Sequence, residues 1–118
     1  MKFEVEVIRV GEMAADLLAG GHLIIFGDTP NEVLAEVCFM HTHGEICGDI
    51  EVGDTVVLGQ KNFVITAIGE EALQTLAELG HCTFCFHGGT DVELPGQISL
   101  KGDEAPEALT IGDKIVIF

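Results

Sequence analysis

Ile50-Glu51-Val52-Gly53-Asp54-Thr55-Val56-Val57-Leu58 occurs twice in this chain, the second time as Leu109-Thr110-Ile111-Gly112-Asp113-Lys114-Ile115-Val116-Ile117. In each copy the Gly-Asp pair marks a turn, and the apolar run after it reads as a closing strand. The offset is 59 residues (112 − 53), half of the 118-residue chain. Working outward, Val10-Gly11-Glu12 returns as Ile68-Gly69-Glu70 at an offset of 58 (69 − 11), and Gly21-His22 as Gly80-His81 at 59 (80 − 21). Three landmarks in one order at one spacing imply a tandem duplication: two copies of a strand–helix–strand–strand–strand unit, residues 1–59 and 60–118, in a single domain spanning 1–118. Repeat periods of this size usually build solenoids or propellers, which need more copies. Two copies point instead to a mostly β fold, a small barrel with pseudo-twofold symmetry and two short helices.

Within each unit the pattern is similar. Lys2 to Val10 and Asn62 to Ile68 are rich in valine, isoleucine and phenylalanine and read as strands. Glu12 to Ala19 and Glu70 to Leu79 read as helices; in the second, Ala72, Leu73, Leu76 and Leu79 form an apolar stripe that Gly80 ends. His22 to Phe26 and His81 to Phe86 are the next strands, followed by turns at Gly27-Asp28-Thr29-Pro30 and Gly88-Gly89-Thr90-Asp91. Val33 to Thr42 and Gly96 to Lys101 are the third strands of the two units.

The bulk composition bounds the function. A net charge of −15, from 20 acidic and 5 basic residues, disfavours nucleic acid and anionic membrane surfaces, and favours a basic protein partner. With no charged-then-apolar leader and no apolar run of bilayer length, the expectation is a cytoplasmic protein without direct membrane insertion. Cys38, Cys47, Cys82 and Cys85 are then expected as reduced, buried thiols. Aromatic packing falls to phenylalanine, because tyrosine and tryptophan are absent.

The duplication separates the histidines. His22 and His81 occupy matching places after a glycine, so a shared structural role such as a helix cap is expected. His41 and His43 have no counterparts, since the same offset lands on Leu100 and Gly102. On a strand ending at Thr42 the two would share one face. Neutral imidazole at an accessible strand end suits two chemistries, a phosphoryl group carried on nitrogen and metal ligation. The second gives the alternative reading, a cytosolic metal-binding module using His41 and His43.

Other motifs carry less. Cys82-Thr83-Phe84-Cys85 has CxxC spelling, but a regular strand sends positions three apart to opposite faces, and a zinc knuckle needs a turn inside the motif. There is no G-x-x-x-x-G-K-[ST] phosphate loop. His87, beside Gly88-Gly89, reads as a solvent-facing turn histidine.

The run CFMHTHGEI at 38–46, with GQKNFVITAIGEEALQTLAELGHCTFCFHG at 59–88, resembles the glucitol/sorbitol-specific IIA component of the bacterial phosphoenolpyruvate-dependent sugar phosphotransferase system. The likeness runs through nearly the whole chain and implies an enzyme, a phosphotransferase component with a phosphohistidine intermediate. It implies that His41 takes a phosphoryl group from the phosphocarrier HPr, on Nε2, and passes it to a cysteine of the IIB component. The sugar alcohol would then be phosphorylated during import by the membrane component IIC. No cofactor or metal is implied. Thr42, His43 and Gly44 are the candidates for holding the phosphate oxygens, and Glu45 or a backbone carbonyl for orienting the His41 ring.

Overall fold

A computed structural model describes residues 1–27 and 31–118. Eight strands close into a barrel: β1 (Phe3–Val10), β2 (His22–Gly27), β3 (Phe39–His41), β4 (Thr55–Leu58), β5 (Lys61–Ile68), β6 (Cys82–Cys85), β7 (Gln97–Lys101) and β8 (Lys114–Ile117). Three short helices decorate it: α1 (Ala14–Ala19), α2 (Glu32–Ala35) and α3 (Ala72–Leu79). Around the barrel the order is β1-β3-β2-β6-β7-β5-β4-β8.

This order is unchanged when each strand of the first half is exchanged with its counterpart in the second. β2 pairs parallel with β3, and β6 with β7. The axis passes between β2 and β6 on one side, and between β4 and β8 on the other. Even an irregularity is repeated. The register slips between Val7 and Arg9 in β1, and between Ile65 and Ala67 in β5, again 58 residues apart.

Period-2 alternation builds the core. Phe3, Val5 and Val7 of β1 and Phe63, Ile65 and Ala67 of β5 point inward, while Glu4, Glu6, Asn62 and Val64 face out. Ala14 and Leu18 of α1, and Ala72 and Leu76 of α3, cover the barrel from equivalent positions. Cys38 and Cys82 are buried, and burial pushes both thiols up, Cys38 to about 11. Cys85 is also buried, so β6 carries three buried residues rather than a strict alternation. Cys47 departs from the expected burial: it lies exposed on the irregular segment after β3.

Two sequence expectations need correction. Among the described residues the helices number three, not two, and the stretch 33–42 is not one strand. Asn31 caps α2, its Oδ1 accepting the Leu34 N–H at 2.9 Å, and only Phe39–His41 is extended. Val33 and Leu34 are therefore surface residues of a helical turn, while Ala35 packs with Cys38 and Met40 in a second small apolar cluster. Of the turn expected at Gly27-Asp28-Thr29-Pro30, the last three residues lie outside the described ones. Residues 86–96 form an irregular crossover rather than a single tight turn.

The Gly-Asp turns are built alike. Gly53 and Gly112 have φ of 98° and 96°, a region that glycine enters without strain. The following carboxylates reach back three residues, Asp54 to the Glu51 N–H and Asp113 to the Thr110 N–H, both at 2.8 Å. Asp54 also accepts from Lys2 Nζ at 2.7 Å, and the lysine bond, then the Glu51 N–H, hold its carboxyl below the usual range. A lowered folded-state pKa contributes stability above the unfolded carboxyl's pKa of about 3.9, lost as pH falls through the folded value. Asp54→Asn should accordingly lower the denaturation midpoint at neutral pH and converge on wild type in acid. A stability difference independent of pH would show that Asp54 does not act through its charge.

Candidate functional site

His41 is the last residue of β3, between β1 (opposite Val7) and β2 (opposite Gly27). It is 1% exposed, the one buried histidine of the five. Its ring edge meets Phe3 at a centroid distance of 5.9 Å. Both ring nitrogens face backbone carbonyls at 2.7 Å, Nδ1 that of Thr42 and Nε2 that of Gly80. The ring also lines a cleft of about 410 Å³, bounded by Gly27 at the end of β2, Leu34 of α2, His43 and Gly44, and the Glu78–Gly80 corner that ends α3.

The other residues singled out in the sequence fall on both sides of this cleft. His43 is exposed and lines it. It does so from beyond the strand, not from a shared strand face as the 33–42 reading implied. Gly44 lines it too, packed so closely on β1 that a Cβ there would overlap the Val5 side chain. The Thr42 hydroxyl points the other way: it accepts the Glu6 N–H at 3.0 Å and borders a separate depression with Glu4 and Lys114. It is the Thr42 carbonyl that meets His41. Glu45 is exposed, and the partners of the His41 ring are carbonyls rather than its carboxylate.

Sequence reasoning missed Gly80, whose carbonyl meets Nε2, and Gly27, which stands opposite His41 on β2. A comparison of the halves carries the signal. The counterpart of Gly27 is Phe86 (86 − 27 = 59), whose ring packs on Phe63 at 5.2 Å, and the counterpart of His41 is the buried Leu100. The first half thus has space and an imidazole where the second has a phenylalanine and a leucine.

The remaining histidines do not share a structural role. His81 sets Nδ1 3.0 Å from the Ile25 carbonyl and lies against Phe26 at 4.8 Å, while His22 is exposed. The helix cap expected of them is made by Gly80, in the left-handed region at φ 65°. His87 accepts the Gly89 N–H at 2.9 Å in an exposed turn. Among the described residues no three His, Cys, Asp or Glu side chains converge as a metal site would require.

The family profile of the PTS system glucitol/sorbitol-specific IIA component matches residues 2–116. The chain belongs to this family. Two relatives, each named PTS system glucitol/sorbitol-specific EIIA component, from Shigella flexneri and Escherichia coli, are each 37% identical over 100 residues, 85% of this chain and 81% of theirs. A crystal structure of a PTS system IIA component from Enterococcus faecalis shares the fold with a TM-score of 0.81. It covers 96% of this chain and 97% of its own at 22% identity. As a glucitol/sorbitol-family IIA component, the protein has a phosphotransferase role in general terms. No helix among its described residues is long and apolar enough to cross a membrane.

Proposed function

We propose that His41 is the phosphoacceptor of this IIA component, taking a phosphoryl group from HPr on Nε2 and passing it to a cysteine of the IIB component, which phosphorylates a sugar alcohol as the membrane component IIC imports it. The observation that carries this reading is that His41, alone of the five histidines, is buried while its ring lines a cleft. It also stands where the other half has leucine.

The chemistry asks little of the protein beyond position. With the ring proton on Nδ1, donated to the Thr42 carbonyl 2.7 Å away, the lone pair is on Nε2. That lone pair forms the new N–P bond as the N–P bond of phospho-HPr breaks, and the electron pair returns to the donor imidazole. Among the described residues no lysine or arginine lines the cleft, and Glu78 does. Charge compensation for the phosphoryl group then comes from basic residues of the docked donor. Incubation with phosphoenolpyruvate, the general phosphotransferase enzyme and HPr should add one phosphoryl group by mass, on His41 by peptide mapping. An unmodified mass in an active relay would refute the reading.

His43, exposed and lining the cleft, can donate to a phosphate oxygen in this reading. His43→Ala should slow transfer by about ten- to a hundredfold, the worth of one or two charge-assisted hydrogen bonds. His43→Gln keeps a donor and should be mild. Wild-type rates in both variants would remove His43 from the chemistry.

A further inference from the structure

Nε2 of His41 is not free: the Gly80 carbonyl sits 2.7 Å from it. A neutral imidazole has one N–H for two nitrogens. With Nδ1–H given to Thr42, the Nε2 lone pair faces an oxygen lone pair, and a phosphorus bound to Nε2 needs the direction that this oxygen takes. We propose that the Gly80 carbonyl is a latch on His41, withdrawn by rotation of the Gly80–His81 peptide unit when Nε2 takes the phosphoryl group. This rests on the reading of His41 as the phosphoacceptor.

The corner is built for close approach. A Cβ on Gly80 would lie 2.7 Å from His41 Cε1 and from Gly27 N, and a Cβ on Gly27 would lie 2.9 Å from the Leu79 carbonyl. The equivalent corner in the other half has no such tightness. A Cβ on Gly21, the counterpart of Gly80, would meet open space. The barrel therefore does not require the approach; it occurs in the half that holds the histidine.

The latch is also cheap to release. The Gly80 C=O shares its peptide plane with the His81 N–H, and that N–H makes a long bond, 3.2 Å to the Thr75 carbonyl. Rotating the unit breaks this one bond, and glycine at 80 has the backbone freedom to allow it. The rest of the cap need not move: Gly80 N–H stays on Leu76 O at 3.0 Å. On the other side of the ring, Thr42 N–H is held by the Glu6 carbonyl at 2.9 Å as part of the sheet margin.

Amide hydrogen exchange by NMR, on the wild-type protein before and after phosphorylation, tests this. The donor is either phospho-HPr or phosphoramidate, whose N–P bond breaks as the His41 N–P bond forms, its nitrogen leaving as ammonia with the electron pair. In the phosphoprotein the His81 amide should exchange about tenfold faster, the worth of one hydrogen bond, while the Thr42 amide keeps its rate. Phosphate on His41 with an unchanged His81 amide overturns the latch and leaves the acceptor assignment standing. Failure of His41 to take phosphate from either donor overturns both.

Discussion

Replacing His41 with alanine should abolish phosphate uptake in the relay while leaving a folded barrel. The loss is all-or-none, because no other histidine of the chain is buried against the cleft. The substitution removes a fully buried ring and leaves the Thr42 carbonyl without its donor, so some stability goes with it. His41→Gln separates the two effects: its amide can still donate to one carbonyl, and it has no ring nitrogen to phosphorylate. Both variants should show wild-type strand content by circular dichroism and no added phosphoryl mass. Normal phosphorylation of either would show that another residue is the acceptor.

Replacing Gly69 with alanine should cost about 3 kcal/mol of stability or more, at the upper end for forced overpacking. Gly69 follows β5, and a Cβ there would overlap the Pro95 carbonyl and lie 2.9 Å from that of Gln97. Its own N–H donates to Gln97 O at 2.8 Å, so the two backbones cannot separate without losing that bond. Gly11 makes the same crossing after β1, donating to Cys38 O at 2.9 Å, with a Cβ there overlapping the Ala35 carbonyl. Denaturant unfolding would measure the effect. A Gly69→Ala variant as stable as wild type would show that the two backbones at this crossing can move apart without loss.

These two glycines illustrate how far the sequence could be read. Val10-Gly11-Glu12 and Ile68-Gly69-Glu70 stand out as a repeated landmark, and the strands and the α1 and α3 helices follow from local periodicity around them. Why glycine is required there is not local: the obstructing carbonyls belong to residues 24 to 26 positions away (35 − 11, 95 − 69), brought near by the crossover. α2 was hidden because a single Asn31 cap competes with an apolar run whose Val33 and Leu34 look like strand residues but face outward. As a candidate, His41 was legible from its missing counterpart. Its surroundings were not, because Gly80 lies 39 positions on and the Thr42 hydroxyl keeps to the face opposite His41, held there by the Glu6 N–H.

The order of the barrel strands has a consequence for how the chain reaches its native state. β4 lies between β5 and β8, both from the second half, and β8 lies between β1 and β4. Each half therefore lends its last strand to the other, and neither can complete a sheet alone. A ribosome releasing this chain exposes β1 through β4 with four of their seams unmade, those to β5, to β6 and twice to β8, and the seam joining Phe3 to Ile117 must wait for residues 114 to 117. Contacts of such sequence separation make for slow closure, so the nascent barrel depends on late, long-range events rather than on domain-by-domain assembly. Chains cut between the halves should be unfolded apart and regain the barrel only when mixed.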